Sequence, residues 1–296
     1  MRPRMRRLLV VMFCLCAGSG TASAFPARID AWSRRDSTVL GVEAGLPLFG
    51  GSFADLRAFS PEQVLAATYT LGREEIRVVI ARCATSADAF GMLGVRSGVQ
   101  LVEGLPGEAF RVDRDVRAVV YGPFYMELTR RGARRPAPPD EAFADAIQRW
   151  LYLLADCHPT PIPLPDDERV YGSERLLAGE ASWRGERRRL GESLVRVLAE
   201  RRAWMGVYRK RILPIERVLY VFSGDSASVS ALHVALGAEL RRSMRMSVNS
   251  CGVLSAMSAS AQYIVLRHGG TLWFIRTDRS DDGACWWIRD LHPAAR

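Results

Sequence analysis

Thiols are the most reactive side chains in this sequence, and their spacing limits the redox chemistry that the chain can perform. The chain has six cysteines, of which Cys14 and Cys16 lie in an apolar N-terminal stretch. The others are Cys83, Cys157, Cys251 and Cys285. No C-x-x-C pair occurs, which argues against a thiol oxidoreductase or a zinc ribbon. In an oxidising compartment, Cys83–Cys157 and Cys251–Cys285 disulfides would each close a loop within one half of the chain; buried free thiols are the alternative.

Histidines and serines are present, but their spacing matches no known catalytic motif. The signatures H-E-x-x-H and G-x-S-x-G, the P-loop and the dinucleotide-binding glycine motif are all absent. His233 lies among apolar residues of a predicted helix, where a structural role is typical. Asp225 could join His233 and one of Ser226, Ser228 and Ser230 only if the fold brought them together. The sequence therefore predicts no catalytic residue.

The segment 278–283 resembles the first half of a calcium loop. Oxygen-bearing side chains stand at its first, third and fifth positions, and Gly283 stands at the sixth. The twelfth position is Arg289, however, where a calcium loop needs a bidentate Glu. A hairpin turn explains Asp282-Gly283 more simply. We therefore expect neither a metal nor a cofactor.

Arginine clusters are the first group of candidate binding residues. The chain has 41 basic residues, a net charge of +9 and a pI near 9.7. The strongest candidates are Arg187, Arg188, Arg189, Arg241 and Arg242. They could attract an anionic envelope component or a protein partner. The alternative is a solvated surface whose arginines pair with neighbouring glutamates. No nucleic-acid recognition motif occurs, so nucleic acid is not expected.

Aromatic residues near turns form the second group. Trp286 and Trp287 are adjacent in a predicted strand over 285–289, so they would point to opposite faces. Tyr121 and Tyr125 stand on either side of a Gly-Pro turn. An exposed aromatic ring beside a basic surface would suit ligand or partner binding, and core packing is the alternative.

Residues 1–24 have the three parts of a secretory signal peptide. Four arginines precede an apolar run over 8–17, and Ala22-Ser23-Ala24 matches the pattern that signal peptidase cleaves. A transmembrane helix needs about twenty apolar residues, and this run is half as long. We expect an exported chain, periplasmic or extracellular, cleaved after Ala24 and without a transmembrane span; a retained anchor is the alternative.

The rest of the chain is predicted to contain two copies of a strand–strand–helix–strand–strand unit. The first copy has strands over 65–71 and 76–82, a helix over 86–93, and a hairpin of strands 116–120 and 124–128. The second has strands over 205–209 and 218–222, a helix over 228–241, and a hairpin of strands 262–266 and 272–275. This order predicts an α+β protein, with antiparallel sheets and helices on one face. The copies could form one sheet or two.

A proline at every second position of the segment 158–165 predicts an extended linker. It separates a first α+β module over 25–157 from a second over 166–296. Just before it, an apolar stripe after Asp140 predicts a helix that packs on the first sheet. The stripe consists of Phe143, Ala146, Ile147, Trp150, Leu151 and Leu154. A further helix is predicted over 190–204.

Three short segments carry a family resemblance: SADAFGMLG at 86–94, YGPFY at 121–125 and GSER at 172–175. They resemble recurring segments of a bacterial exported family catalogued as domain-of-unknown-function family 6599. The resemblance covers nearly all of the chain after residue 24. It implies export and the duplicated layout, and it carries no catalytic residues because the family is uncharacterised.

Together these features favour an exported, non-enzymatic binding or interaction protein of the bacterial envelope. One alternative is an extracytoplasmic hydrolase whose active site forms only in the fold. Another is a structural or scaffolding protein that pairs through the edges of its sheets.

Overall fold

The computed structural model describes residues 25–50, 53–97, 109–113, 116–132, 139, 141–154, 163–165, 168–170, 172–209, 215–248 and 254–278. The predicted α+β class is confirmed, since antiparallel sheets and helices both occur. The strands form two separate seven-stranded sheets.

The first sheet lies in the N-terminal half of the chain. Its strands are β1 (Arg28–Ile29), β2 (Trp32–Leu40), β3 (Pro61–Leu71), β4 (Glu74–Cys83), β5 (Ala109–Asp113), β6 (Val116–Tyr121) and β7 (Phe124–Arg131). Their order across the sheet is β1-β2-β3-β4-β7-β6-β5, and all neighbours are antiparallel. The β6–β7 hairpin turns at Gly122, whose φ of 53° is a left-handed value that glycine adopts without strain.

The second sheet lies in the C-terminal half. Its strands are β8 (Arg175–Leu177), β9 (Ala203–Arg209), β10 (Glu216–Ser223), β11 (Arg245–Val248), β12 (Leu254–Met257), β13 (Gln262–His268) and β14 (Thr271–Thr277). Their order is β11-β12-β13-β14-β10-β9-β8, again with antiparallel neighbours. The order β9-β10-β14-β13 corresponds to β3-β4-β7-β6 in the first sheet.

The helices vary in length. They are α1 (Val42–Gly45), α2 (Phe53–Arg57), α3 (Ser86–Ser97), α4 (Glu141–Leu154), α5 (Gly179–Arg184), α6 (Arg187–Leu190), α7 (Glu192–Leu198) and α8 (Ser226–Ser243), with a 3₁₀ helix at Leu46–Phe49. The helix predicted over 190–204 is wrong at its C-terminal end, because α7 ends at Leu198 and β9 begins at Ala203. There, Trp204 pairs with Leu176 of β8 and Val221 of β10.

Helices lie on both faces of the first sheet, which corrects the expectation of helices on one face. On one face, Phe143, Ile147 and Leu151 of α4 share a core with β3, β4, β6 and β7. On the opposite face, Ala89, Met92 and Leu93 of α3 pack against the same strands. Both faces of the sheet can be covered because alternate residues of a strand point to opposite sides, and here the residues on both sides are apolar.

In the second sheet, the helices of the main core cluster lie on one face. Trp183 of α5, Leu194 of α7 and Leu236 of α8 belong to this cluster. On the opposite face, Leu164 from the proline-rich segment packs with Tyr208 and Leu219. The Tyr208 hydroxyl also donates to the Pro165 carbonyl at 3.0 Å. This end of the predicted linker therefore belongs to the core of the second sheet.

Helix α3 joins the two halves of the protein. Leu176 of β8 lies in the same core cluster as α3, and Trp204 packs against that cluster. The Phe90 ring of α3 lies 5.4 Å from the Trp204 ring, measured between centroids. Beside it, the buried Asp88 pairs with Arg202. The first sheet and the edge of the second therefore pack on different sides of one helix.

Candidate functional site

Most of the arginines predicted to bind an anion are already paired with carboxylates. Arg187 lies 2.8 Å from Glu192, and Arg242 lies 2.7 Å from Glu239. Arg189 lies 3.2 Å from the buried Glu186. These contacts fit the expected alternative of a solvated surface with shared ion pairs. Arg188 is exposed and makes no ion pair within the described part of the chain.

Arg189 belongs to a buried polar network that holds α6 against the second sheet. Glu186 accepts a hydrogen bond from the Tyr220 hydroxyl at 2.8 Å. The Arg189 carbonyl accepts from Tyr263 at 3.2 Å and from Arg276 at 2.9 Å. Burial, and then the charge of Glu186, raise the pKa of Tyr220 well above its usual range. The phenol therefore stays protonated and acts as a structural donor.

The two tyrosines predicted at a binding surface lie inward. Tyr125 is fully buried, and its hydroxyl donates to Glu127 Oε1 at 2.5 Å. Its ring packs against Phe49 with 5.4 Å between centroids. Tyr121 is half-buried and packs against the core cluster that contains α4. Tyr125 is thus corrected from a surface residue to a core residue, because the apolar faces on both sides of β7 are covered. Trp286 and Trp287 lie outside the described residues.

Cys83 is a free, buried thiol in the described part of the chain. Its Sγ lies 3.4 Å from the Met92 Sδ, between β4 and α3. Burial raises the pKa of this thiol, and the nearby Asp88 carboxylate raises it further. The Cys83 thiol therefore stays protonated at neutral pH and forms no disulfide within the described part of the chain, and the Cys83–Cys157 pairing stays a prediction. The other disulfide candidates, Cys157, Cys251 and Cys285, lie outside the described residues.

No cluster of potential metal ligands occurs among the residues that the structure describes. In the same part of the chain, no helix has both the length and the apolar character needed to cross a membrane. The incomplete calcium loop after Asp278 lies outside the described residues.

The longest helix in the described part of the chain is α8, which has 18 residues. The Asp225 carboxylate caps its N-terminus by accepting from the Ser228 amide at 2.8 Å. Hydrogen bonding by the Ser228 side chain, and then by its amide, lowers the pKa of Asp225. Its buried face consists of Val229, Leu232, Leu236, Glu239 and Leu240. Arg241 and Arg242 lie in the last turn, where positive charge is favourable at the carbonyl end of the helix.

Three basic side chains come together beside α8, and we call His233, Arg241 and Arg267 the α8 basic face. Arg267 belongs to β13 and follows Tyr263 and Val265 on the side of the sheet that carries the helices. Arg241 and Arg267 are exposed, and His233 is half-buried. Partial burial, then Arg267 and Arg241, lower the pKa of His233. Within the described residues, Arg241 and Arg267 make no ion pair.

The outer side of α8 next to these groups is open and carries small side chains. Its exposed apolar residues are Ala227, Ala231, Val234, Ala235 and Ala238, and the serines Ser226, Ser228 and Ser243 of the same helix are exposed as well. Val234 is 66% exposed, one of the most exposed large apolar residues described. The only acidic residue within α8 is Glu239, and its carboxylate pairs with Arg242. The surface is therefore positive, with no competing carboxylate from the helix itself.

The α8 basic face overlaps the residues that the sequence analysis selected as binding candidates. Arg241 was among the predicted binding residues, whereas Arg242 is paired and the Arg187–Arg189 group belongs to another helix, α6. His233 and Arg267 were not among those candidates. Alternation along the predicted strand over 262–266 could have placed Arg267 on the same side as Tyr263. Its closeness to α8 depends on tertiary packing.

No family model, curated protein or solved structure matches this chain. Its function therefore has to be inferred from its own geometry.

Proposed function

We propose that the protein is an exported, non-enzymatic binding protein that holds an acidic segment of a protein partner on its α8 basic face. The observation that carries the proposal is that Arg241 and Arg267 are exposed, make no ion pair among the described residues, and lie near enough to the half-buried His233 to lower its pKa. Like charges close together raise the free energy of the unbound protein, and an anionic partner would relieve that repulsion.

The state of the other reactive groups supports binding over catalysis. Burial raises the pKa of Cys83, Tyr69 and Tyr220, so each stays protonated at neutral pH. Catalytic nucleophiles and bases need pKa values near the working pH. The buried carboxylates of Asp88 and Glu186 are paired with Arg202 and Arg189, so these charged groups act as structural ion pairs.

The shape of the surface favours a protein segment over a lipid membrane. Helices that bind membranes bury large residues such as Trp, Phe and Leu in the lipid. The outer side of α8 carries alanines and a single valine, which bury little area. Small side chains do allow the backbone of another segment to approach closely. Glutamate or aspartate on that segment could then reach Arg241 and Arg267.

Export and processing belong to the same proposal. The signal pattern over 1–24 supports removal of that segment, a periplasmic or extracellular location, and a Cys251–Cys285 disulfide in an oxidising compartment. The corresponding strand orders of the two sheets support duplication of one packing unit. The resemblance to domain-of-unknown-function family 6599 fits this layout and stays a proposal.

The test is binding of a fluorescent polyglutamate peptide to the chain 25–296 at low ionic strength. The R241A/R267A variant should bind about tenfold more weakly, since two exposed contacts contribute on the order of 0.5–1 kcal/mol each. Raising salt from 50 to 300 mM should weaken wild-type binding, because exposed charges are screened within about 8 Å at physiological ionic strength.

The matched control is R184A/R187A, which removes two exposed arginines already paired with Glu180 and Glu192. This control should bind as tightly as the wild type. Equal losses in both variants would mean that net charge alone attracts the peptide, and the proposal would fail. Binding to phosphatidylglycerol vesicles with no affinity for the peptide would point to a membrane partner instead.

A further inference from the structure

The residue that follows the predicted cleavage site is built into the core. Phe25 comes directly after Ala22-Ser23-Ala24 and is only 4% exposed. Its ring stacks on Trp150 of α4, with 4.9 Å between centroids and an angle of 23° between planes. Phe25 shares its core cluster with Trp32 and Phe143. This is an unusual position for a residue beside a bond that a protease must reach.

The backbone after the cleavage site is held as firmly as the ring. The Phe25 carbonyl accepts a hydrogen bond from the Arg34 guanidinium. The Pro26 carbonyl accepts from the Tyr69 hydroxyl at 2.8 Å, and the Ala27 carbonyl accepts from the Arg34 amide at 2.9 Å. Burial raises the pKa of Tyr69, so its hydroxyl remains a donor. Three successive carbonyls are therefore tied to β2 and β3.

This arrangement conflicts with proteolysis of the folded chain. Proteases cut folded proteins through transient opening, so cleavage slows as the open fraction falls. Opening residues 25–27 requires breaking three hydrogen bonds and withdrawing the Phe25 ring from Trp150. The unfolded chain has none of these constraints.

We propose that the Ala24–Phe25 bond is hydrolysed before the first sheet closes, and that Phe25 then docks on Trp150 as the N-terminal residue of the mature protein. In this step water adds across the peptide bond, leaving a carboxylate on Ala24 and an ammonium group on Phe25, with no redox change. The inference rests on the export part of the proposed function. It adds an order of events, processing first and docking second.

The test compares two samples of the full chain 1–296 treated with purified signal peptidase in detergent. One sample is folded, and the other is diluted from urea directly into the enzyme. We expect the folded chain to be cleaved at least tenfold more slowly. The product of the unfolded sample should have the mass of the chain 25–296. Equal rates, or a product that begins at another residue, would overturn the proposal.

Variants at Phe25 show whether docking causes the protection. Cleavage of the folded chain should speed up in the order wild type, Phe25→Leu, Phe25→Ala, because each truncation removes more contact with Trp150. The Leu variant keeps the test valid if the Ala variant does not fold. Phe274→Leu, in the core of the second sheet, is the control for general destabilisation and should leave the rate within about twofold of wild type. Acceleration by Phe274→Leu equal to that by Phe25→Leu would overturn the proposal.

The outcome is separable from the proposed binding function. Peptide binding is measured on a chain expressed directly as 25–296, so it requires no processing. If that chain binds polyglutamate and the folded full chain is cut rapidly, only the order of events is wrong. If the folded full chain resists cleavage but the chain 25–296 does not bind polyglutamate, only the proposed binding function of the α8 basic face is wrong.

Discussion

Helices α3 and α8 occupy corresponding places in the two halves of the protein, yet their surroundings differ. Each follows an inner strand of its sheet, β4 or β10, and precedes the strands that complete that sheet. Helix α3 is buried on nearly every side, between the first sheet and the edge of the second. Helix α8 buries one face and leaves the other exposed. One position in the topology thus serves internal packing in one half and forms a surface in the other.

The amino-acid compositions of α3 and α8 match their different surroundings. A helix that is apolar all round belongs in an interior, and α3 has Ala89, Phe90, Met92 and Leu93 in less than two turns. Helix α8 is longer and alternates buried leucines with exposed alanines. The comparison shows that α3 packs between the first sheet and the edge of the second, whereas α8 packs on one sheet and leaves its other face exposed. Paired substitutions in the two helices test this division.

The largest effect is expected at Phe90, which is 2% exposed and packs on Trp204. Phe90→Ala should lower the free energy of unfolding by about 3–5 kcal/mol, because the cavity opens between the modules. The matched change in α8, Val234→Ala, should alter it by less than about 0.5 kcal/mol. Urea denaturation of the chain 25–296 measures both. Similar losses in the two variants would contradict the division between joint and surface.

The second-largest loss of stability is expected for a substitution at Asp88. It is 1% exposed, accepts from the Thr85 hydroxyl at 2.6 Å and pairs with Arg202. Asp88→Ala should lower the free energy of unfolding by about 1–3 kcal/mol, since Arg202 is half-exposed and can turn to water. The control Glu192→Ala breaks an exposed pair with Arg187 and should cost under about 0.5 kcal/mol. Equal shifts of the denaturation curves of Asp88→Ala and Glu192→Ala would show that the Asp88–Arg202 pair does not hold α3 in place.

The glycines of the two helices should respond in opposite directions. A Cβ on Gly91 of α3 would collide with the ring of Phe59, which is fully buried and cannot move away. Gly91→Ala should therefore destabilise the protein by about 1–3 kcal/mol. A Cβ on Gly237 of α8 would meet nothing within 4 Å. Gly237→Ala should stabilise by up to about 1 kcal/mol, because alanine favours helix. Thermal melting of both variants measures the signs, and two shifts of the same sign would break the comparison.

The smallest effect is the pH response of α8. The pKa of His233 in the folded protein lies below its ordinary value of 6.5, so the unfolded chain binds the proton more readily. Stability should therefore fall slightly as the pH drops from 7.5 through 6.5 and level off below the folded pKa. His233→Gln should remove this part of the pH dependence. An acidic ligand would favour the charged imidazole, so polyglutamate should bind more tightly at pH 5.5 than at 7.5. Tighter binding at the higher pH would count against His233 as part of the surface.

Periodicity in the sequence was enough to predict most of the central strands. All eight strands of the two predicted units occur, as do helices α3, α4 and α8, with ends that differ by a few residues. Strand β2 was missed because its sequence, WSRRDSTVL, is mostly polar and half-exposed, and only the two-residue strand β1 lies between it and the open edge of the sheet. The end of α7 was misplaced because the pairing of Trp204 with β8 and β10 prevailed over helix propensity.

The candidate site was harder to predict because its members come from two elements. Arg241 and His233 are eight residues apart on one helix, whereas Arg267 comes from a strand of the second sheet. Arg189 and Tyr125 looked equally suitable in the sequence. Only the fold shows Arg189 paired with Glu186, and Tyr125 in the core.

The sequence by itself determined the α+β class, the hairpins and the amphipathic face of α4, because these depend on local periodicity and on turn residues. Tertiary structure alone decided that the sheets are separate, that α3 lies between the first sheet and the edge of the second, and that α8 keeps an open basic face. Those outcomes depend on which helix packs on which apolar face of a sheet, and on which arginines form ion pairs with a carboxylate. Both are contacts between residues far apart in the chain, and no local pattern encodes them.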